Sequence, residues 1–240
     1  MLSVAIPDGV LLVDKAEGMT SHDVVALARR QLGIKKIGHC GTLDPIATGL
    51  LLLTIGRGTK VQDLLMSEDK EYVGTLTLGT ATSTQDREGE VVETKPVPQL
   101  SDAEIRAAFE KFRGDFYQMP PMVSAIKHGG VPLYKLARQG KIVEREPRLV
   151  HVYRYSVDRI AIPEVDFSVL CSKGFYVRTY VHEIGEMLGC GAHLKSLRRT
   201  RSGRFDVANS VTVDEIKIAP REEVVKRILS LPEVSRMRGA

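Results

Sequence analysis

The sequence predicts an α+β fold with a mixed, mainly antiparallel central sheet flanked by helices. Two neighbouring stretches, Arg148 to Val157 and Val165 to Cys171, read as long antiparallel strands. Helical segments fall between and after the strands, an order that favours a broad sheet over a doubly wound nucleotide fold. Neither GxGxxG nor GxxxxGK(S/T) stands between a strand and a helix, so a bound NAD or ATP is not supported. The 240 residues are 43% hydrophobic and 27% charged, which suits a globular chain with a substantial core.

The elements follow in order. Val10 to Asp14 is a short buried strand, and Gly18-Met19 turns the chain. Thr20 and Asp23 form a capping-box pattern ahead of Val24, Val25, Ala28 and Leu32 at helical spacing, and Gly33 ends that helix. Gly38-His39-Cys40-Gly41-Thr42-Leu43-Asp44-Pro45 follows as a loop, then Leu50 to Ile55 as a central strand. Tyr72 to Leu78 alternates as a strand, residues 79–89 form an exposed loop, and Val91-Val92 is a weak strand. Ser101 and Glu104 cap a helix with Ile105, Ala108, Phe109 and Phe112 on one face, and Pro120-Pro121 breaks the pattern. Residues 119–145 are polar, basic and glycine-bearing, an inserted appendage with a short helix near Leu133 to Arg138. Val177 to Leu188 is a helix, Thr212 and Glu215 cap another, and Pro220 starts the last, with Val224, Val225, Ile228 and Leu229 inward. The expected organisation is one domain over residues 1–240, with 218–240 as a C-terminal tail helix.

The formal net charge of +4 suits nucleic acid or an acidic surface. With 5% aromatics and no Trp, a non-specific single-strand binder working by base stacking is disfavoured. Three cysteines without CxxC spacing point to a reducing compartment and away from structural zinc. The N-terminus does not read as a signal peptide, and no apolar run reaches membrane-spanning length. A cytoplasmic monomer is the expectation.

Asp44 is a candidate nucleophile or general base; the competing reading is a turn aspartate that caps the next segment. His39 contacts a base or phosphate, or is a satisfied loop histidine. Cys40 reads as a small buried filler. Arg178 sits at a helix start, where the dipole prefers acid, so it has another partner, with Asp44 a candidate, or is an ordinary surface arginine. Tyr72 stacks on a base or packs in a core. Basic residues group at Arg29, Arg30, Lys35 and Lys36, at Lys127, Lys135, Arg138 and Lys141, and at Lys195, Arg198, Arg199, Arg201 and Arg204. Brought to one side, these groups would form a phosphate track.

Five motifs occur in order: Gly9 to Lys15, the octapeptide with Ala47-Thr48-Gly49, Lys70-Glu71-Tyr72, Ser172-Lys173-Gly174-Phe175-Tyr176-Val177-Arg178-Thr179, and Leu188 to Leu194. Together they resemble the bacterial tRNA pseudouridine-55 synthases, the TruB family, across roughly residues 8 to 217. The resemblance implies the pseudouridine synthase catalytic fold and isomerisation of the T-loop uridine at position 55 of tRNA. It implies Asp44 as the essential aspartate, Arg178 as its partner, and Tyr72 stacked on the target base. His39 would sit by the flipped nucleotide, Lys15 and Lys173 would support the pocket, and Leu197 would line it. Residues 119–145 would be an RNA-binding thumb, with Lys127 and Arg138 among its contacts. No cofactor, metal or obligate protein partner is implied; the partner is the tRNA T-arm.

Ala16, Ser83 and Val123 depart from the family pattern, and the family's usual C-terminal RNA-binding domain is expected to be absent. Two alternatives remain: the catalytic subunit of a guide-RNA-dependent pseudouridylation machine, and a non-catalytic tRNA-folding chaperone.

Overall fold

In the computed structural model, which describes residues 7–124, 126–137 and 139–239, the first strand is already interior. β1 (Gly9–Lys15) buries Val10, Leu11, Leu12 and Val13 on both faces, as a central strand does. Thr20 caps α1 (Ser21–Leu32) through a reciprocal capping box with Asp23, and Gly33 closes it at φ 68°. The expected octapeptide loop is only half a loop. Gly38-His39-Cys40 complete β2 (Ile37–Cys40), antiparallel to β3 (Ala47–Ile55). Pairing with β3 satisfies their backbone groups, a long-range demand that turn-rich composition conceals.

A 3₁₀ segment (Gly56–Val61), α2 (Gln62–Met66) and β4 (Lys70–Leu78) follow, then a ribbon of β5 (Thr80–Thr82) and β6 (Val91–Thr94). α3 (Asp102–Glu110) starts on the Ser101–Glu104 capping box and buries Ile105, Ala108 and Phe109. After β7 (Gly114–Gln118), the basic segment holds a small hairpin, β8 (Lys127–His128) and β9 (Val131–Pro132), and α4 (Leu133–Ala137). Its beginning is no appendage: Pro120, Pro121 and Ser124 are buried. The two long strands appear as expected, as β10 (Arg148–Ala161) and β11 (Glu164–Cys171), and α5 (Val177–Met187) follows.

The basic stretch after residue 191 is a strand, β12 (Ala192–Ser202). β13 (Phe205–Asp206), β14 (Val211–Thr212), α6 (Val213–Ile218) and α7 (Arg221–Lys226) come next. The expected single terminal helix is interrupted. β15 (Leu229–Ser230) pairs antiparallel with Gly9 and Val10 before α8 (Leu231–Arg238) begins on the Ser230–Glu233 capping box. A Cβ at Gly9 would lie 2.0 Å from the Leu229 carbonyl oxygen, so glycine is what admits the pairing.

The chain packs as two units, Met1–Tyr72 with Arg198–Ala240, and Val73–Leu197. In the first, β1 lies between antiparallel β3 and parallel β14, which makes the sheet mixed. Its core holds Val10, Leu12, Leu50, Leu52, Phe205 and Val234. In the second, β7, β10 and β11 run antiparallel. Tyr180 of α5 meets Phe109, Phe112, Phe167 and Phe175 at centroid distances of 5.3 to 6.2 Å, edge-on or tilted as ring quadrupoles prefer. Among the described residues no helix is long and apolar enough to cross a membrane.

β3 and β12 meet at Gly49, whose φ is 97° and whose added Cβ would stand 2.3 Å from the Arg199 carbonyl oxygen. Gly49→Ala therefore combines backbone strain with a clash, and chemical denaturation should show a loss of more than about 2 kcal/mol. An unchanged midpoint would contradict this close approach.

Candidate active site

The turn that carries Asp44 is held from several directions within the first unit. Gly41, at φ 77°, leaves β2 through the left-handed region that glycine tolerates. Ser21, the first residue of α1, grips the middle of the turn. Its Oγ accepts from the Leu43 amide at 2.9 Å and donates to the Leu43 carbonyl at 3.2 Å. The Asp44 carbonyl accepts from the Ala47 amide at 3.0 Å, and the Pro45 carbonyl from the Gly18 amide at 2.9 Å.

Lys15 is fully buried at the end of β1. Its Nζ donates to the carbonyls of Ala16 at 3.0 Å, Met19 at 2.7 Å and Pro45 at 3.4 Å. The structure thus brings Lys15 to the Asp44 turn. Asp44 itself is half-buried, and Tyr72 is buried near the start of β4.

His39 and His22 meet edge-on at 5.2 Å beside a cleft of about 270 Å³ that is also lined by Arg29, Gly41, Thr42 and Met66. Burial pushes the His39 imidazole down to about 4, and the charges of His22 and Arg199 push the same way, so the ring is neutral at neutral pH. A neutral ring fits a base better than a phosphate. Burial raises the Cys40 thiol to about 12, which removes it as a nucleophile and agrees with its reading as a filler.

Not every member of the basic group after residue 191 faces outward. Strand alternation sends Arg199 inward, 1% exposed, on the side of Leu197, which is itself buried. Arg199 Nε donates to the Leu50 carbonyl at 2.7 Å and Nη2 to the Gly41 carbonyl at 3.1 Å. Arg198 makes two bonds to the Asp14 carboxylate, at 2.9 and 2.7 Å, and Lys195 pairs with Glu164. Arg201 remains exposed. Sequence reasoning placed Arg199 with its charged neighbours because nothing local distinguishes an inward arginine from an outward one.

In the second unit, Arg178 is the second residue of α5 and is 3% exposed, not an ordinary surface arginine. The first turn of α5 has no acidic residue. Arg178 donates through Nη1 to the Thr84 carbonyl at 2.8 Å and through Nη2 to the Val123 carbonyl at 2.7 Å, with Nε 3.7 Å from Asp86 Oδ2. Val123 makes this bond through its main-chain carbonyl, which any residue at that position would offer.

Asp86 was missed, and residues 79–89 are not simply an exposed loop. Thr82 and Asp86 are each 5% exposed. Asp86 Oδ1 accepts from Thr84 Oγ1 at 2.5 Å and from the Glu88 amide at 3.1 Å. Gln85, at φ 65°, accepts from Thr179 Oγ1 at 2.9 Å. The Thr-Gln-Asp composition that suggests solvent here builds an internal knot around Arg178. Lys173 is exposed in the turn before α5, and Lys127 is exposed in β8. Arg138 lies outside the described residues. Among the described residues no three His, Cys, Asp or Glu side chains converge as a metal site requires.

The chain matches the family model described as TruB family pseudouridylate synthase (N terminal domain) over residues 29–177. A second, described as tRNA pseudouridylate synthase B C-terminal domain, matches residues 178–230. The chain is 55% identical over 222 residues to the tRNA pseudouridine synthase B of Opitutus terrae, covering 92% of each. It is 46% identical over 229 residues to that of Syntrophotalea carbinolica, covering 95% of this chain and 75% of the relative. Among solved structures it is similar to a chain of an archaeal box H/ACA sRNP Nop10–Cbf5 complex, at TM-score 0.71 and 28% identity, covering 99% of this chain and 63% of the other. It is also similar to a chain of an H/ACA RNP bound to a substrate RNA containing 2′-deoxyuridine, at TM-score 0.68 and 28% identity, covering 94% and 59%. These matches bear out the motif resemblance over most of the sequence: the chain belongs to the TruB family of pseudouridylate synthases.

Proposed function

We propose that this chain isomerises a uridine of tRNA to pseudouridine, with the T-loop uridine at position 55 as target and Asp44 as the essential carboxylate. The observation that carries the assignment of Asp44 is the Gly41–Pro45 turn. Its main chain is gripped by Ser21, Lys15 and Arg199, as a group that must meet a sugar carbon at a set distance requires.

In the reaction the N1–C1′ bond breaks, a C5–C1′ bond forms, and the C5 proton is lost while N1 gains one. Asp44 serves either by attacking C1′ or by taking a ribose proton to give a glycal. The target must leave its stack to reach a pocket carboxylate, at a cost of about a few kcal/mol that base and phosphate contacts offset. Tyr72 is assigned to the target base and the late C5 deprotonation, and neutral His39 to the everted nucleotide. Leu197 is assigned to the base pocket, Lys15 and Lys173 to its support, and Arg178 is the cation assigned to Asp44. Reactant and product are isomers, so no cofactor enters this scheme. Work on tRNA by a monomer in the cytoplasm completes the reading.

Relatives at 46 to 55% identity named tRNA pseudouridine synthase B favour stand-alone action on tRNA over the guide-RNA machine, whose structures are 28% identical. Purified protein incubated with tRNA labelled with tritium at C5 should release tritium without any added RNA guide. Asp44→Asn should abolish release, by a factor on the order of a thousand or more, while tRNA still binds. Undiminished release would remove Asp44 from the chemistry, and a wild type that binds tRNA without releasing tritium would favour the chaperone. Arg178→Lys keeps the charge but loses the planar fork, so it should lower turnover with little change in tRNA affinity.

Lys127, Lys135 and Lys141 are exposed on the inserted segment. Replacing all three with Gln should weaken tRNA binding and reduce its salt dependence by up to about three phosphate contacts, with the melting temperature unchanged. An unaltered salt slope in filter binding would exclude this segment from the RNA interface.

A further inference from the structure

Arg199 is a buried cation that the reading above does not use for RNA. It is 1% exposed, and both of its hydrogen-bond partners among the described residues are main-chain carbonyls, not carboxylates. Burying a guanidinium without a counter-charge carries a penalty of about several kcal/mol, and an apolar side chain of similar volume would avoid it. What Arg199 does in return is specific. One arm of its planar fork bonds the Leu50 carbonyl on β3, at 2.7 Å, and the other bonds the Gly41 carbonyl at 3.1 Å. Gly41 is where the chain leaves β2, at φ 77°, and its added Cβ would lie 3.2 Å from Arg199 Nη1. The glycine is therefore shaped to the guanidinium, and the guanidinium ties the start of the Asp44 turn to the strand that follows it. Gly49 repeats the fit from the other side, because only a glycine leaves room for the Arg199 backbone.

From this we infer that Arg199 is a positioning residue: through Gly41 it sets the backbone that places the Asp44 carboxylate. The inference deepens the proposed function and rests on Asp44 being the reacting group. Arg199 fixes the leading end of the turn, Ser21 the middle through Leu43, and Lys15 the trailing end through Pro45. Loss of the leading tie frees Gly41, a residue with broad conformational freedom three positions before the carboxylate. The consequence falls on placement of the reacting group and not on capture of the tRNA.

Arg199→Met keeps the length and loses the charge, Arg199→Lys keeps the charge as a compact ammonium, and both remove the planar fork. Turnover should fall on the order of tenfold to a hundredfold in both folded variants, with KM and tRNA affinity within about twofold of wild type, because displacement of a reacting group acts on kcat. Arg199→Ala should regain part of its turnover with millimolar guanidinium or ethylguanidinium, whereas Asp44→Asn should not. Melting temperatures read alongside show which variants are folded at the assay temperature. Should Arg199→Met fail to fold, the Arg199→Lys rates and the rescue decide the matter. A folded variant with wild-type kcat, a loss confined to KM, or an Arg199→Ala enzyme that guanidinium does not revive would overturn the positioning role. A wild-type protein that releases no tritium would instead sink the proposed function, so the two failures are told apart.

Discussion

Main-chain carbonyls drawn onto buried cations are the interaction on which this molecule's candidate site depends. A turn of six residues between two strands ordinarily leaves several carbonyls to solvent. Here Gly41 and Pro45 give theirs to Arg199 and Lys15, which are 1% and 0% exposed. An ammonium or guanidinium sealed from water seeks strong acceptors, and an oriented carbonyl dipole is one. The cations and the turn therefore complete each other, and the backbone around Asp44 becomes as constrained as a strand without being one.

Arg178 follows the same rule in the second unit. Two of its bonds go to the carbonyls of Thr84 and Val123, and Asp86 stands within ion-pair range. Asp86 is in turn held by Thr84 and the Glu88 amide. The arrangement explains why a short polar loop is interior and why Gln85 accepts a positive φ: the loop is shaped around a side chain. It also ties residues 120–124, at the root of the inserted basic segment, to the start of α5, so the segment proper begins later than its composition suggests.

Local chemistry was legible in the sequence and non-local pairing was not. The capping boxes at Thr20–Asp23, Ser101–Glu104 and Thr212–Glu215 form as read, because their three-residue spacing contains the whole interaction. β2 and β15 were hidden because each owes its strand character to a partner outside its own segment, β3 across a six-residue turn for one and β1 at the other end of the chain for the other. In the first unit Asp44 stood out through its motif and Lys15 through the family resemblance, and in the second Arg178 stood out through its motif. Asp86 and Arg199 did not, since a buried charge and a solvated one are written with the same letters. Only the direction taken by a strand or loop separates them.

The three cysteines have a practical consequence. Cys40, Cys171 and Cys190 are all buried and none is in a disulfide, and burial raises the thiols of Cys40 and Cys190, which disfavours the thiolate at both. Burial also keeps maleimides from these thiols in the folded chain. A single cysteine introduced on the β8–β9 hairpin would accept a fluorophore or spin label by itself, and the absence of Trp leaves the near-ultraviolet window open for an emission donor placed at will. Such a label would report directly whether that hairpin meets RNA.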